Sequence, residues 1–144
     1  MNDIQQIAEQ SIAFVRRAGL KVRDCRPGYA SCWMPLQGNE NHMGTMYAGA
    51  AFTLADITGG VLALASFDPQ RFYPTLKDLT LEFLKPATTD LTLDYCIPAD
   101  LLAELQQNAN VTGKAKFQLR GELKDSGNIT VAIAHGEFQV RQAR

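Results

Sequence analysis

The chain has 144 residues, a formal net charge of −1 and a hydrophobic content of 46%. That length suits a single domain over residues 1–144 with a modest core. A charge so close to neutral excludes the strongly basic surface on which nucleic-acid binding ordinarily rests.

The start, Met1-Asn2-Asp3-Ile4, has neither the basic residues nor the apolar run of a signal peptide, so a soluble cytoplasmic protein with no membrane partner is expected. Asn2 or Asp3 caps a first helix whose apolar stripe is Ile4, Ile7, Ala8, Ser11 and Val15, and Gly19 ends it. Residues 20–35 read as one or two strands with a turn near Arg26-Pro27-Gly28. The three cysteines, Cys25, Cys32 and Cys96, fit neither a metal clip nor a disulfide framework and read as buried free thiols.

A Gly- and Asn-rich loop over 36–45 leads into a long apolar helix, Tyr47–Phe67, stopped by Asp68-Pro69. The helix lacks Lys, Arg and Glu, so it should be almost wholly buried. Strands are expected over 74–85, 90–97, 112–124 and 129–141, with a short helix over 99–108. The alternation of Ala115, Phe117, Leu119, Gly121 and Leu123 with Lys116, Gln118, Arg120 and Glu122 marks an antiparallel strand with one wet face. Asp125-Ser126-Gly127-Asn128 is the hairpin turn that follows. One apolar helix and several antiparallel strands make an α+β layer, the sheet curled around the helix. One sheet covers only part of such a helix, so a second copy is expected to complete it. Ala48, Ala51, Ala55 and Gly59 would let the two long helices approach closely.

Asp56 is the only charged residue between Glu40 and Asp68. A carboxylate on so apolar a helix must be paired, hydrogen-bonded or neutralised, and such groups cluster at catalytic sites. The alternative is a structural carboxylate bonded to Thr53 or a nearby turn. Gly-x-Ser-x-Gly, His-Glu-x-x-His, P-loop and Gly-x-Gly-x-x-Gly motifs are missing, and the two histidines, His42 and His135, do not form a metal cluster by spacing.

Two segments, Asn41…Gly49…Phe52-Thr53-Leu54-Ala55-Asp56 and Leu81-Glu82-Phe83-Leu84-Lys85-Pro86, resemble the hotdog-fold acyl-CoA thioesterases of the phenylacetic-acid-degradation branch. That family has His-Gly-Gly where this chain has Tyr47-Ala48-Gly49. The resemblance implies hydrolysis of acyl-CoA to free acid and coenzyme A, without metal or cofactor, by a homodimer or a dimer of dimers. It assigns Asp56 as general base or nucleophile, Asn41 as orienter of the water or thioester, and the Ala48 or Gly49 N–H as the carbonyl-polarising donor. Donors at a helix N-terminus suit this role, because the first N–H groups are unpaired and lie at the positive end of the dipole. His42, Tyr47, Thr58 and Lys85 are the expected substrate contacts, with Thr58 holding the Asp56 carboxylate or the water. Asp56 is expected to work across the dimer interface from Asn41. The departure at Tyr47-Ala48 leaves a second reading: a non-catalytic hotdog domain that binds acyl-CoA or acyl-carrier protein as sensor or scaffold.

Overall fold

The computed structural model describes residues 2–143. The elements are α1 (Asn2–Gln10), α2 (Ala13–Ala18), β1 (Lys21–Arg26), β2 (Tyr29–Met34), α3 (Ala48–Ser66), β3 (Phe72–Phe83), β4 (Leu91–Cys96), α4 (Ala99–Thr112), β5 (Lys114–Lys124) and β6 (Thr130–Gln142). The six strands form one antiparallel sheet in the order β1-β2-β4-β5-β6-β3, and α3 lies across it. This is the expected sheet wrapped around one long helix.

Local sequence explains most boundaries. Gly19 and Gly113 end α2 and α4 in the left-handed conformation, at φ 85° and 81°. The expected first helix is two helices. Ile12 is extended (φ −104°, ψ 116°), and the Ser11 hydroxyl donates back to the Ile7 carbonyl. That local bond competes with helix propagation and re-aims the chain. The expected 99–108 helix continues to Thr112.

β5 alternates exposed and buried residues along its length, so Ala115, Phe117, Leu119 and Leu123 face the core. Between β4 and β5 the ladder narrows to Thr92↔Lys124. A Cβ at Gly121 would fall 2.6 Å from Leu93 Cδ1 and 2.9 Å from the Asp94 carbonyl oxygen, so only glycine lets the strands cross this closely.

The two edges of the sheet differ. At β1 the outward Val22 N–H donates to Glu9 Oε2 at 2.8 Å, and Lys21 Nζ sits 3.6 Å from Glu9 Oε1. Glu9 is buried at 7% exposure and pins α1 across this edge. β3 pairs only with β6 and leaves its other side open, with Tyr73 and Phe83 exposed. Open strands of this length are templates for pairing with another chain.

Burial of α3 corrects the sequence-based expectation. Ala50, Ala51, Leu54, Ala55, Thr58, Gly59, Val61 and Leu62 are buried, but the stripe Ala48, Phe52, Asp56, Gly60, Leu64 is exposed or half-buried. Those positions recur every four residues and share one face. Ala51, Ala55 and Gly59 therefore face this chain's own sheet, not a partner helix. A Cβ at Gly59 would lie 2.2 Å from the Phe138 ring, so its smallness seats α3 on β6. The cysteines also divide: Cys32 is buried, Cys25 half-buried, and Cys96 exposed.

Candidate active site

The loop before α3 is braced by Asn41. Its Oδ1 accepts the N–H of Met43 (2.9 Å) and of Thr45 (3.1 Å), while Nδ2 donates to Thr45 Oγ1 at 2.9 Å. The backbone adds Asn41 N–H to the Thr45 carbonyl at 2.7 Å and Tyr47 N–H to the Asn39 carbonyl at 2.8 Å. Asn41 thus uses both ends of its amide inside its own loop. It braces the helix start and at the same time lines the neighbouring cavity.

Helix α3 opens without a side-chain cap at Tyr47. The Tyr47 carbonyl accepts from Ala50 N–H and Ala51 N–H at 3.0 and 3.2 Å. The N–H groups of Ala48 and Gly49 find no acceptor among the described residues. The Tyr47 ring folds over this first turn: a Cβ on Gly49 would come 2.3 Å from Tyr47 Cε2. Glycine at 49 leaves room for the Tyr47 ring in this position.

Beside this turn lies a cavity of about 470 Å³ lined by Asn41, Thr45, Ala48, Phe83, Lys85 and Ala132, among others. It brings together three of the expected site residues: Asn41 of the loop, Ala48 at the helix N-terminus and the basic Lys85 just beyond β3. Tyr47 stands exposed next to it, and His42 is exposed on the loop without lining it.

Asp56 lies elsewhere. It is half-buried on the open stripe of α3 and lines a second cavity of about 300 Å³ with Ile7, Ile12, Gly60, Leu64 and Leu76. Burial raises its carboxyl pKa above the ordinary value of 3.8, and among the described residues no ion pair or hydrogen bond offsets that cost. The alternative of a carboxylate held by Thr53 is removed, because the Thr53 hydroxyl donates to the Gly49 carbonyl at 2.7 Å.

Thr58 requires correction. It is fully buried, donates to the Leu54 carbonyl at 2.6 Å, and sits by the Cys32 thiol, which burial pushes up to about 12. Two residues along a helix are on nearly opposite faces, so Thr58 holds neither the Asp56 carboxylate nor a water beside it. Sequence reasoning missed Tyr95, whose buried hydroxyl donates to the Ala55 carbonyl at 3.0 Å. It also missed Glu9. Neither has a local motif, and only the fold brings them to their partners. No group of three or more His, Cys, Asp or Glu able to hold a metal occurs among the described residues. Among the described residues one helix, α3, is long and apolar enough to cross a membrane, and here it forms the core under the sheet.

Residues 2–140 match the family described as a domain of unknown function, DUF4442. The chain belongs to that family. This DUF4442 chain is 42% identical to a protein of unknown function from Pseudomonas aeruginosa, a "Probable Thioesterase", covering 99% of this chain and 95% of that one at a TM-score of 0.89. A thioesterase from Haemophilus influenzae shares 12% identity over 98% of this chain and 90% of its own, at a TM-score of 0.74. A mutant thioesterase enzyme from Staphylococcus aureus shares 11% over 90% and 99%, at a TM-score of 0.73. The last two likenesses speak for the fold alone. The DUF4442 chain has the hotdog fold, as its sequence motifs implied. No curated protein matches it.

Proposed function

We propose that this protein hydrolyses acyl-CoA thioesters to a free carboxylic acid and coenzyme A, and that it does so as a homodimer or a pair of such dimers. The observation that carries this reading is the separation of two incomplete half-sites. One is the pair of unsatisfied N–H groups at Ala48 and Gly49 beside the 470 Å³ cavity. The other is the half-buried, unpartnered Asp56 on the uncovered stripe of α3. A second copy docked on that stripe and on the open β3 edge would bring the donors of one subunit to the carboxylate of the other.

In such a site the thioester carbonyl rests on the Ala48 and Gly49 N–H groups, which stabilise the negative oxygen of the tetrahedral intermediate. Asp56 takes a proton from water as the oxygen attacks the carbonyl carbon. The C–S bond then breaks, and the proton returns from Asp56 to the leaving thiolate. In the nucleophilic variant the Asp56 carboxylate attacks the carbonyl carbon, and the C–S bond breaks to release the coenzyme A thiolate, which takes a proton from water. Hydrolysis of the resulting anhydride frees the acid and restores the carboxylate. Lys85 at the cavity mouth would meet a phosphate of coenzyme A. The high homology to a "Probable Thioesterase" and the hotdog fold support the reaction class.

Free-thiol release from a panel of acyl-CoA esters tests the proposal. Turnover of at least one ester supports it. Tight acyl-CoA binding without thiol release would replace it with a sensor or scaffold.

A further inference from the structure

The cavity holding Asp56 is walled in an unusual way. Its floor is α3, with Asp56 at one end and Gly60 and Leu64 following at successive turns, and Leu76 of β3 forms a side. Ile7 of α1 and Ile12 of the α1–α2 link form its roof. Glu9 fixes that roof, because its carboxylate ties α1 to Val22 and Lys21 of β1. Ile7 and Ile12 are 45% and 48% exposed, large apolar side chains standing at a rim with nothing against part of their surface. A Cβ built on Gly60 meets nothing within 4 Å, so the floor opens into free space one turn from the carboxylate.

These walls suit one kind of occupant. A polar ligand would find few partners here, because Asp56 is the sole charged group in the lining and the Ser11 and Thr75 hydroxyls already donate to the Ile7 and Gln139 carbonyls. An apolar chain with its polar end at Asp56 loses nothing and covers the isoleucines. Resting on the thioesterase reading, we infer that this cavity receives the acyl chain of the substrate. Gly60 on the floor and Ile7 and Ile12 in the roof set the chain length. The coenzyme A portion then lies along the partner's larger cavity, with the carbonyl between the two. At about 300 Å³ the cavity is at the small end of ligand sites, which suits a medium-length chain rather than a long one.

The test compares kcat/KM for acetyl-, octanoyl- and dodecanoyl-CoA in the wild type, Gly60→Leu and Ile12→Ala. Calorimetric binding of 1-octanol, an uncharged chain of suitable length, is measured alongside. Gly60→Leu is expected to lose activity increasingly with chain length, octanoyl-CoA falling at least about tenfold relative to acetyl-CoA, and to lose octanol binding. Ile12→Ala only trims the roof and should move the preference toward dodecanoyl-CoA. Octanol binding abolished by Gly60→Leu, with no acyl-CoA cleaved by the wild type, would uphold the chain pocket while removing the thioesterase reading. An unchanged chain-length profile in both variants, or octanol binding indifferent to Gly60→Leu, overturns the inference.

Discussion

The Tyr95 hydroxyl donates a 3.0 Å hydrogen bond to the carbonyl of Ala55, the residue immediately before Asp56. Both Tyr95 and Ala55 are fully buried. The bond comes from β4 and pins the rotation of α3 about its own axis, which holds Asp56 at its cavity. Tyr95→Phe keeps the ring contact with Phe138, whose centroid is 6.1 Å away, and deletes only the hydroxyl. It should cost about 1 kcal/mol in urea unfolding, the usual net worth of one such bond. A loss well above about 3 kcal/mol would mean that the hydroxyl supports more than this carbonyl.

Two neighbouring glycines of α3 should respond in opposite directions. Gly59→Ala drives a methyl into the Phe138 ring and should destabilise by about 1–3 kcal/mol, the cost of overpacking a filled core. Gly60→Ala meets open space and should stabilise by about 0.5–1 kcal/mol through better helix propensity. Equal effects in thermal unfolding would show that the helix sits differently on the sheet.

This pair also shows why part of the site was not legible in the sequence. β5 announces itself by alternation, and α3 by its unbroken apolar run before Asp68-Pro69. A helix apolar on every side, however, carries no periodic signal to say which face meets the sheet. The sequence alone therefore allows Ala51, Ala55 and Gly59 to face a partner helix and Thr58 to face Asp56, whereas all four are packed inward. Asn41 was legible as a loop residue, but the engagement of its whole amide depends on the backbone path from Met43 to Thr45. The roof formed by Ile7 and Ile12 comes from a helix break at a single serine, with no proline or glycine to mark it.

Assembly can be tested on the uncovered stripe. Phe52 is 41% exposed on it, one turn from both Ala48 and Asp56. Phe52→Glu should leave the circular dichroism of the fold intact, convert a dimer into monomers in light scattering, and abolish turnover by separating the half-sites. An active monomeric variant would place a complete site within one chain.

The pH dependence follows from the burial of Asp56, which raises its pKa above 3.8. As the base it must be ionised, so the rate should fall on the acid side at a pH above that ordinary value. Stability has the opposite sign. The folded state binds this proton more tightly than the unfolded chain, so its contribution is fully present below pH 3.8 and is lost as pH rises through the raised value. Asp56→Asn should therefore unfold at a higher temperature than wild type at pH 7, with the advantage vanishing in strong acid.

Turnover of purified Asp56→Asn, measured with stability and oligomeric state on the same preparation, tests the central claim most directly. The account predicts an intact, stable dimer whose kcat is lowered by roughly a hundredfold or more, the scale for losing a positioned general base. Asn41→Ala should lose less, since the Ala48 and Gly49 donors belong to the backbone. A folded, dimeric Asp56→Asn protein with wild-type turnover would contradict the account and place the chemistry elsewhere.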